Sequence, residues 1–233
     1  MGAFRQALTK SDKEWVAKQK VFFVASAPLQ KGGHVNVSPK GYSSLRILDD
    51  NRVIFLDGRG SGCETISHLR ENQRITIMMC AFDGPPRIMR LFGKGSVYEP
   101  GSAEFDELFE KHYAEEWKDP GKFKFVRSII DVQVHLVGQS CGFAVPFMEY
   151  KSDRSTLVEH HKNKTKEMQS KSRIRDNSFS IDGIPSFLEG TSPGPTAAKR
   201  KMTGVLETLF PWIGGAALGA GIVAAAASRG AFN

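Results

Sequence analysis

The sequence predicts a mainly β domain: an antiparallel sheet closed into a barrel, with a few peripheral helices. Three observations predict it. Short apolar runs rich in Val, Ile and Phe are bounded by Gly, Pro, Asn and Asp clusters, the pattern of strands and turns. Successive runs are joined by short turns, not by helical crossovers, so the strands run mainly antiparallel. A chain of 233 residues that is 40% hydrophobic can bury one ordinary core.

Taken in order, Ser11 and Glu14 stand three apart as a capping box and open a helix that runs to about Lys20. Residues 21–27 form a buried strand that Pro28 ends. Residues 34–37 and 45–48 are short strands, the first broken at Ser38-Pro39-Lys40-Gly41. Asp49-Asp50-Asn51 turns the chain into a strand over 53–57. Residues 64–71 make a two-turn helix that stops near Asn72. Residues 74–82 and 87–98 are strands joined at Gly84-Pro85-Pro86, the second bent at Gly93 and Gly95. Residues 101–117 are helical, with Phe105, Leu108 and Phe109 on one face. The last clear strand is 128–137.

Residues 1–150 carry 20 basic and 18 acidic side chains, and residues 151–233 carry 12 and 7, so the excess of +7 sits mainly in the tail. The basic residues lack interleaved aromatics, which argues against a nucleic-acid surface. Cys63, Cys80 and Cys141 are widely spaced, with no CxxC pair, which fits a reducing compartment and gives no zinc ribbon. His160 and His161 have no Cys or Asp nearby in sequence, so no metal site is expected.

The chemistry concentrates between His34 and His68. HVNVSPKG (34–41) ends a strand in a hydroxyl and a lysine. RVIFLDGRGSGCETISH (52–68) runs a strand into Gly58-Arg59-Gly60-Ser61-Gly62 and then a helix. Hydroxyls, a lysine and small-residue backbone amides beside a helix N-terminus are the ingredients of a phosphate site. A dinucleotide fingerprint is the alternative, but Cys63 takes its last glycine position and no βαβ repeat follows.

These motifs, with PRIMRLFGKG (86–95), SCGFAVP (140–146) and SIDGIP (180–185) in this order, resemble the FMN-binding split-barrel family related to pyridoxamine 5'-phosphate oxidase, and most of all its uncharacterised fungal-type branch. The resemblance covers roughly residues 10 to 190. It implies an FMN-binding split β-barrel that works as a homodimer with flavin at the subunit interface. Ser38 and Lys40 match the strand end that approaches the flavin. Ser61, Gly62 and Thr65 match the loop and helix start that hold the phosphate. Arg90 matches the long strand beside the isoalloxazine edge. The bland alternatives are a turn lysine for Lys40, a helix cap for Ser61 and a surface ion pair for Arg90. The oxidase's C-terminal Arg/His substrate motif is absent, so conversion of pyridoxamine phosphate is not expected. An FMN-dependent oxidoreductase acting on an unidentified small molecule competes with a non-catalytic flavin-binding module and with a tethered scaffold that has lost its cofactor. No catalytic acid or base stands out.

Four segments are expected: the barrel over 1–150, a helix and extension packing on it over 151–190, a linker over 191–208, and a C-terminal helical tail. Residues 209–227 hold no charge and follow Lys199-Arg200-Lys201, the pattern of a tail anchor that leaves the barrel cytosolic. Their strongly apolar side chains contribute only about −2 to −3.5 kcal/mol to insertion.

Overall fold

The computed structural model describes residues 2–117 and 119–186. Its strands are β1 (Ala3–Arg5), β2 (Phe22–Ser26), β3 (Asn36–Lys40), β4 (Leu45–Ile47), β5 (Arg52–Gly58), β6 (Arg74–Cys80), β7 (Ile88–Tyr98) and β8 (Val126–Ser140). Its helices are α1 (Lys10–Val16), α2 (Glu64–Asn72), α3 (Ala103–His112), α4 (Ala114–Trp117), α5 (Pro120–Phe123), α6 (Thr156–Lys162) and α7 (Lys166–Asn177). The strands form one curled antiparallel sheet in the order β3-β2-β6-β7-β8-β5-β4, with β1 added to β8. This is the mainly β split barrel with peripheral helices that the sequence predicts.

The long strand β8 organises the curl. One of its edges pairs with β7 from Ile129 to Ser140. Its other edge pairs with β5 over its first half and with β1 near its end. The β7–β8 register slips between Phe92 and Gly93, and a Cβ on Gly93 would lie 2.6 Å from the Gln133 carbonyl. Only glycine allows this close crossing, where the sheet bends.

Strand alternation divides the core in two. Val53 and Phe55 of β5 point into the barrel with Val24, Ile77, Leu91, Ile130 and Val132. Ile54 and Leu56 point the other way, onto Phe105, Phe109, Tyr113, Trp117 and Phe125. A strand buried on both faces reads as a continuous apolar run, as β5 does.

Several boundaries differ from the sequence expectation, each for a local reason. Thr9, not Ser11, caps α1: its Oγ1 accepts from the Asp12 N–H at 3.2 Å, and its N–H donates to Asp12 Oδ2 at 2.8 Å. The helix then ends at Val16, before Lys20. β3 does not break at Ser38 but continues to Lys40, because it is the sheet edge and Pro39 loses no ladder bond there. The 101–117 helix is interrupted at Tyr113, whose φ of −132° leaves the helical region. β1, α5 and α7 carry no strong periodicity, and sequence alone does not single them out. Among the described residues no helix is long and apolar enough to cross a membrane. The 191–208 linker and the 209–227 tail lie outside the described residues.

Candidate functional site

β3, the end of β5, the start of β8 and the N-terminus of α2 converge. Register decides which β3 side chains face this point. Asn36, Ser38 and Lys40 stand opposite Ser26, Val24 and Phe22, all buried. They therefore share the inward face of the sheet. Val37 and Pro39 take the outward face.

Asp57 is the centre of the cluster. It closes the apolar run of β5, and it is fully buried. Lys40 Nζ donates to its Oδ1 at 2.7 Å, and Arg127 Nε and Nη2 donate to its Oδ2 at 2.9 and 2.6 Å. Burial pushes the Asp57 carboxyl up, but Arg127 and then Lys40 outweigh it and hold the group at about 2. Two cations on one carboxylate leave one positive charge over. Arg127 Nη1 reaches on to the Gly62 carbonyl at 2.7 Å and so fixes the loop before α2.

The helix end is built for an acceptor. Cys63 is the N-cap residue and gives no side-chain cap, so the first-turn N–H groups get no side-chain acceptor from it. Ser61 is exposed and does not cap α2, which removes its bland alternative. Cys63 itself is buried, with Sγ 3.7 Å from Ser67 Oγ. Thr65 is buried, and its Oγ1 accepts from Asn36 Nδ2 at 3.1 Å. Asn36 Oδ1 in turn accepts from Ser38 Oγ at 3.1 Å. A chain of polar side chains thus joins the edge strand to the helix start.

Five of the six expected site residues, Ser38, Lys40, Ser61, Gly62 and Thr65, belong to this one neighbourhood. Arg90 does not. It stands opposite Met78, which stands opposite Phe23, which stands opposite Pro39. That row is the outward face, three strand spacings or about 14 Å from β3. Arg90 Nη1 lies 3.4 Å from Ser140 Oγ there. Val35, Val37 and Phe4 are also exposed, at 72%, 60% and 70%.

Sequence reasoning missed Asp57, Arg127, Asn36 and Glu64, and also the part played by residues 177–186. The signal for Asp57 was present, a carboxylate that closes the apolar run of β5, whereas Arg127 is one of several charges around the start of β8 and gives no such signal. Asn177 Nδ2 donates to the carbonyls of Gly60 at 3.0 Å and Gly62 at 3.3 Å. Asp182 accepts from His34 N–H at 2.9 Å and pairs with its Nδ1 at 2.7 Å. The far end of the described chain therefore lies across the loop before α2. Behind the helix, His68 is fully buried with Nδ1 3.0 Å from Ser26 Oγ, and burial pushes it down, toward the neutral ring. A cavity of about 410 Å³ opens past the end of β3, lined by Lys20, Phe22, Gly41, Ser43, Leu45 and Met79.

The family model described as "Pyridoxamine 5'-phosphate oxidase" matches residues 8–141, which contain every strand from β2 to β8 and most of this site. The chain belongs to the pyridoxamine 5'-phosphate oxidase family. The pyridoxamine 5'-phosphate oxidase family protein ustO of Aspergillus flavus is 43% identical over 160 residues, which are 67% of this chain and 61% of that protein. The match thus spans less than two thirds of that relative. Among solved structures, HupZ of Group A Streptococcus is similar at 18% identity with a TM-score of 0.43, covering 55% of this chain and 91% of that one. An FMN-binding protein from Syntrophomonas wolfei subsp. wolfei is similar at 13% identity with a TM-score of 0.39, covering 54% of this chain and 79% of that one.

Proposed function

We propose that this protein binds FMN, with the phosphate at the N-terminus of α2, and acts as a flavin-dependent oxidoreductase on a small molecule. One observation carries the reading: the N-cap residue of α2 gives no side-chain cap, and beside it buried Arg127 and half-buried Lys40 share a single carboxylate. A dianion is favoured there by the helix dipole and by the surplus charge of Lys40 and Arg127. Thr65, Ser61 and the amide of Gly62 would hold the phosphate oxygens, and Ser38 would position Asn36 against Thr65. Lys40 spends one of its three donors on Asp57 and keeps two for a ligand. Its part is then mainly the charge. Bound flavin would supply the hydride and electron chemistry, and the chain would bind and orient it. The FMN-binding relative from Syntrophomonas wolfei is in keeping with this reading.

Arg90 would meet the ring on the outward face. Exposed Val35, Val37 and Phe4 make that face a place for a second copy of the chain, so the working form is proposed to be a homodimer.

The test is a fluorescence titration with FMN and with riboflavin. FMN is expected to bind more tightly. Thr65→Val is expected to weaken FMN by about 1 kcal/mol and to leave riboflavin unchanged. Equal affinity for the two ligands would remove the phosphate site.

A further inference from the structure

We propose that Glu64 is an internal stand-in for the phosphate: its carboxylate holds residues 178–186 as a strap over the α2 N-terminus, and a phosphorylated ligand must displace it. The inference rests on the flavin reading for the identity of the ligand, but the latch itself stands on geometry.

Four observations meet here. First, Glu64 is the opening residue of α2, where a negative charge is stabilised by the helix dipole. Second, its carboxylate folds back over the preceding loop: a Cβ built on Gly62 would collide with Glu64 Oε2. The group lying directly over Gly62 is thus an anion of the chain's own. Third, Glu64 Oε1 accepts the Ile181 N–H at 3.2 Å. This ties the helix start to a turn 117 residues further on. Fourth, the turn is preformed. Ser180 N–H donates to the Ile184 carbonyl at 2.9 Å, Gly183 takes a φ of +78°, and Phe179 bridges to Pro185. Asn177, just before the turn, pins it to Gly60 and Gly62, and Asp182, at its tip, pins it to His34.

A carboxylate and a phosphate dianion cannot share one helix end without strong repulsion. The same carboxylate stabilises the empty site, because it supplies the negative charge that the dipole and the surplus cation attract. On ligand entry Glu64 must swing away, and the Ile181 amide loses its acceptor. Phosphate binding is thereby coupled to release of the strap. A flavin without phosphate offers nothing that would evict Glu64. Glu64 is a positioning and selectivity residue in this scheme, not a catalytic one.

Two variants separate charge from latch. Glu64→Gln removes the charge but keeps a carbonyl oxygen for Ile181. Glu64→Ala removes both. Amide hydrogen exchange of residues 178–186 and FMN and riboflavin titrations are measured on the full chain for all three forms. Glu64→Gln is expected to bind FMN about tenfold more tightly, with riboflavin unchanged. Glu64→Ala is expected to speed exchange at Ile181 about tenfold without added ligand. In the unmodified protein, FMN but not riboflavin should speed that exchange.

FMN binding that leaves Ile181 as protected as before, or equal FMN affinity in the Gln variant, overturns displacement. Unchanged exchange in the Ala variant overturns the latch. If no form binds flavin while the Ala variant loosens the strap, the flavin reading falls and the latch stands.

Discussion

The two sides of the α2 N-terminus are held by different physics. On the strand side, Asp57 is fully buried, and Lys40 and Arg127 close on it with side chains only 19% and 9% exposed. On the other side, the strap is joined to the helix start by one bond, Ile181 N–H to Glu64, and to the loop before α2 by the amide of Asn177, and the His34 side chain that grips Asp182 is 69% exposed. Buried ion pairs cost several kcal/mol when one partner is lost, whereas exposed pairs contribute about 1 kcal/mol or less. The strand side is therefore a fixed frame, and the strap side is an exchangeable cover. A site that must admit a ligand needs both: donors held in place, and one wall that can leave.

The largest way to break this contrast is Asp57→Asn. It leaves two cations facing each other in a buried site. The expected cost is about 3–5 kcal/mol, read from urea unfolding midpoints at neutral pH. A cost below 1 kcal/mol would mean that solvent reaches the pair and that both sides are alike.

Acid sharpens the same point. Asp57 titrates at about 2 when folded and near 3.8 when unfolded. Because the folded value is the lower one, the unfolded chain binds the extra proton. The stabilisation is complete above about pH 4 and is lost as pH falls toward 2, by about 2 kcal/mol. Asp12 behaves alike: burial raises it, but Arg5, Thr9 and Arg87 hold it at about 2. The gap in stability between the unmodified protein and Asp57→Asn should thus narrow by about 2 kcal/mol between pH 5 and pH 2. The Asp12 contribution persists in both forms. A gap that stays constant would show that Asp57 does not carry the acid sensitivity.

The fold was legible because it rests on local patterns. Short apolar runs and turn residues mark β2, β5, β6 and β7, and the glycine-rich turn before α2 marks the helix start. What was not legible depends on tertiary pairing. The inward direction of Ser38 and Lys40 follows from the β2–β3 register, which no single strand encodes. The commitment of Lys40 to Asp57 needs β5 and β8 brought together. Arg90 looked like part of the same site because its strand does approach, but its parity places it on the opposite face. Residues 177–186 read only as part of an extension packing on the barrel, since their particular partners lie more than a hundred residues away along the chain.

The smallest expected effect tests the exchangeable side alone. Asp182 accepts two hydrogen bonds from His34, and its side chain is 5% exposed although its partner is not. Burial raises the Asp182 carboxyl, but the bonds from His34 outweigh it and lower the group, so it is ionised at neutral pH. Asp182→Asn keeps one acceptor oxygen and removes the charge. The loss is expected to be about 0.5–1 kcal/mol, and to be local. Hydrogen exchange over 178–186 should rise several-fold, while the global urea midpoint stays where it was. The Asp57 variant should do the opposite and move the global midpoint. If Asp182→Asn shifts the global midpoint as far as Asp57→Asn does, the strap is part of the frame, and the site has no wall that can leave.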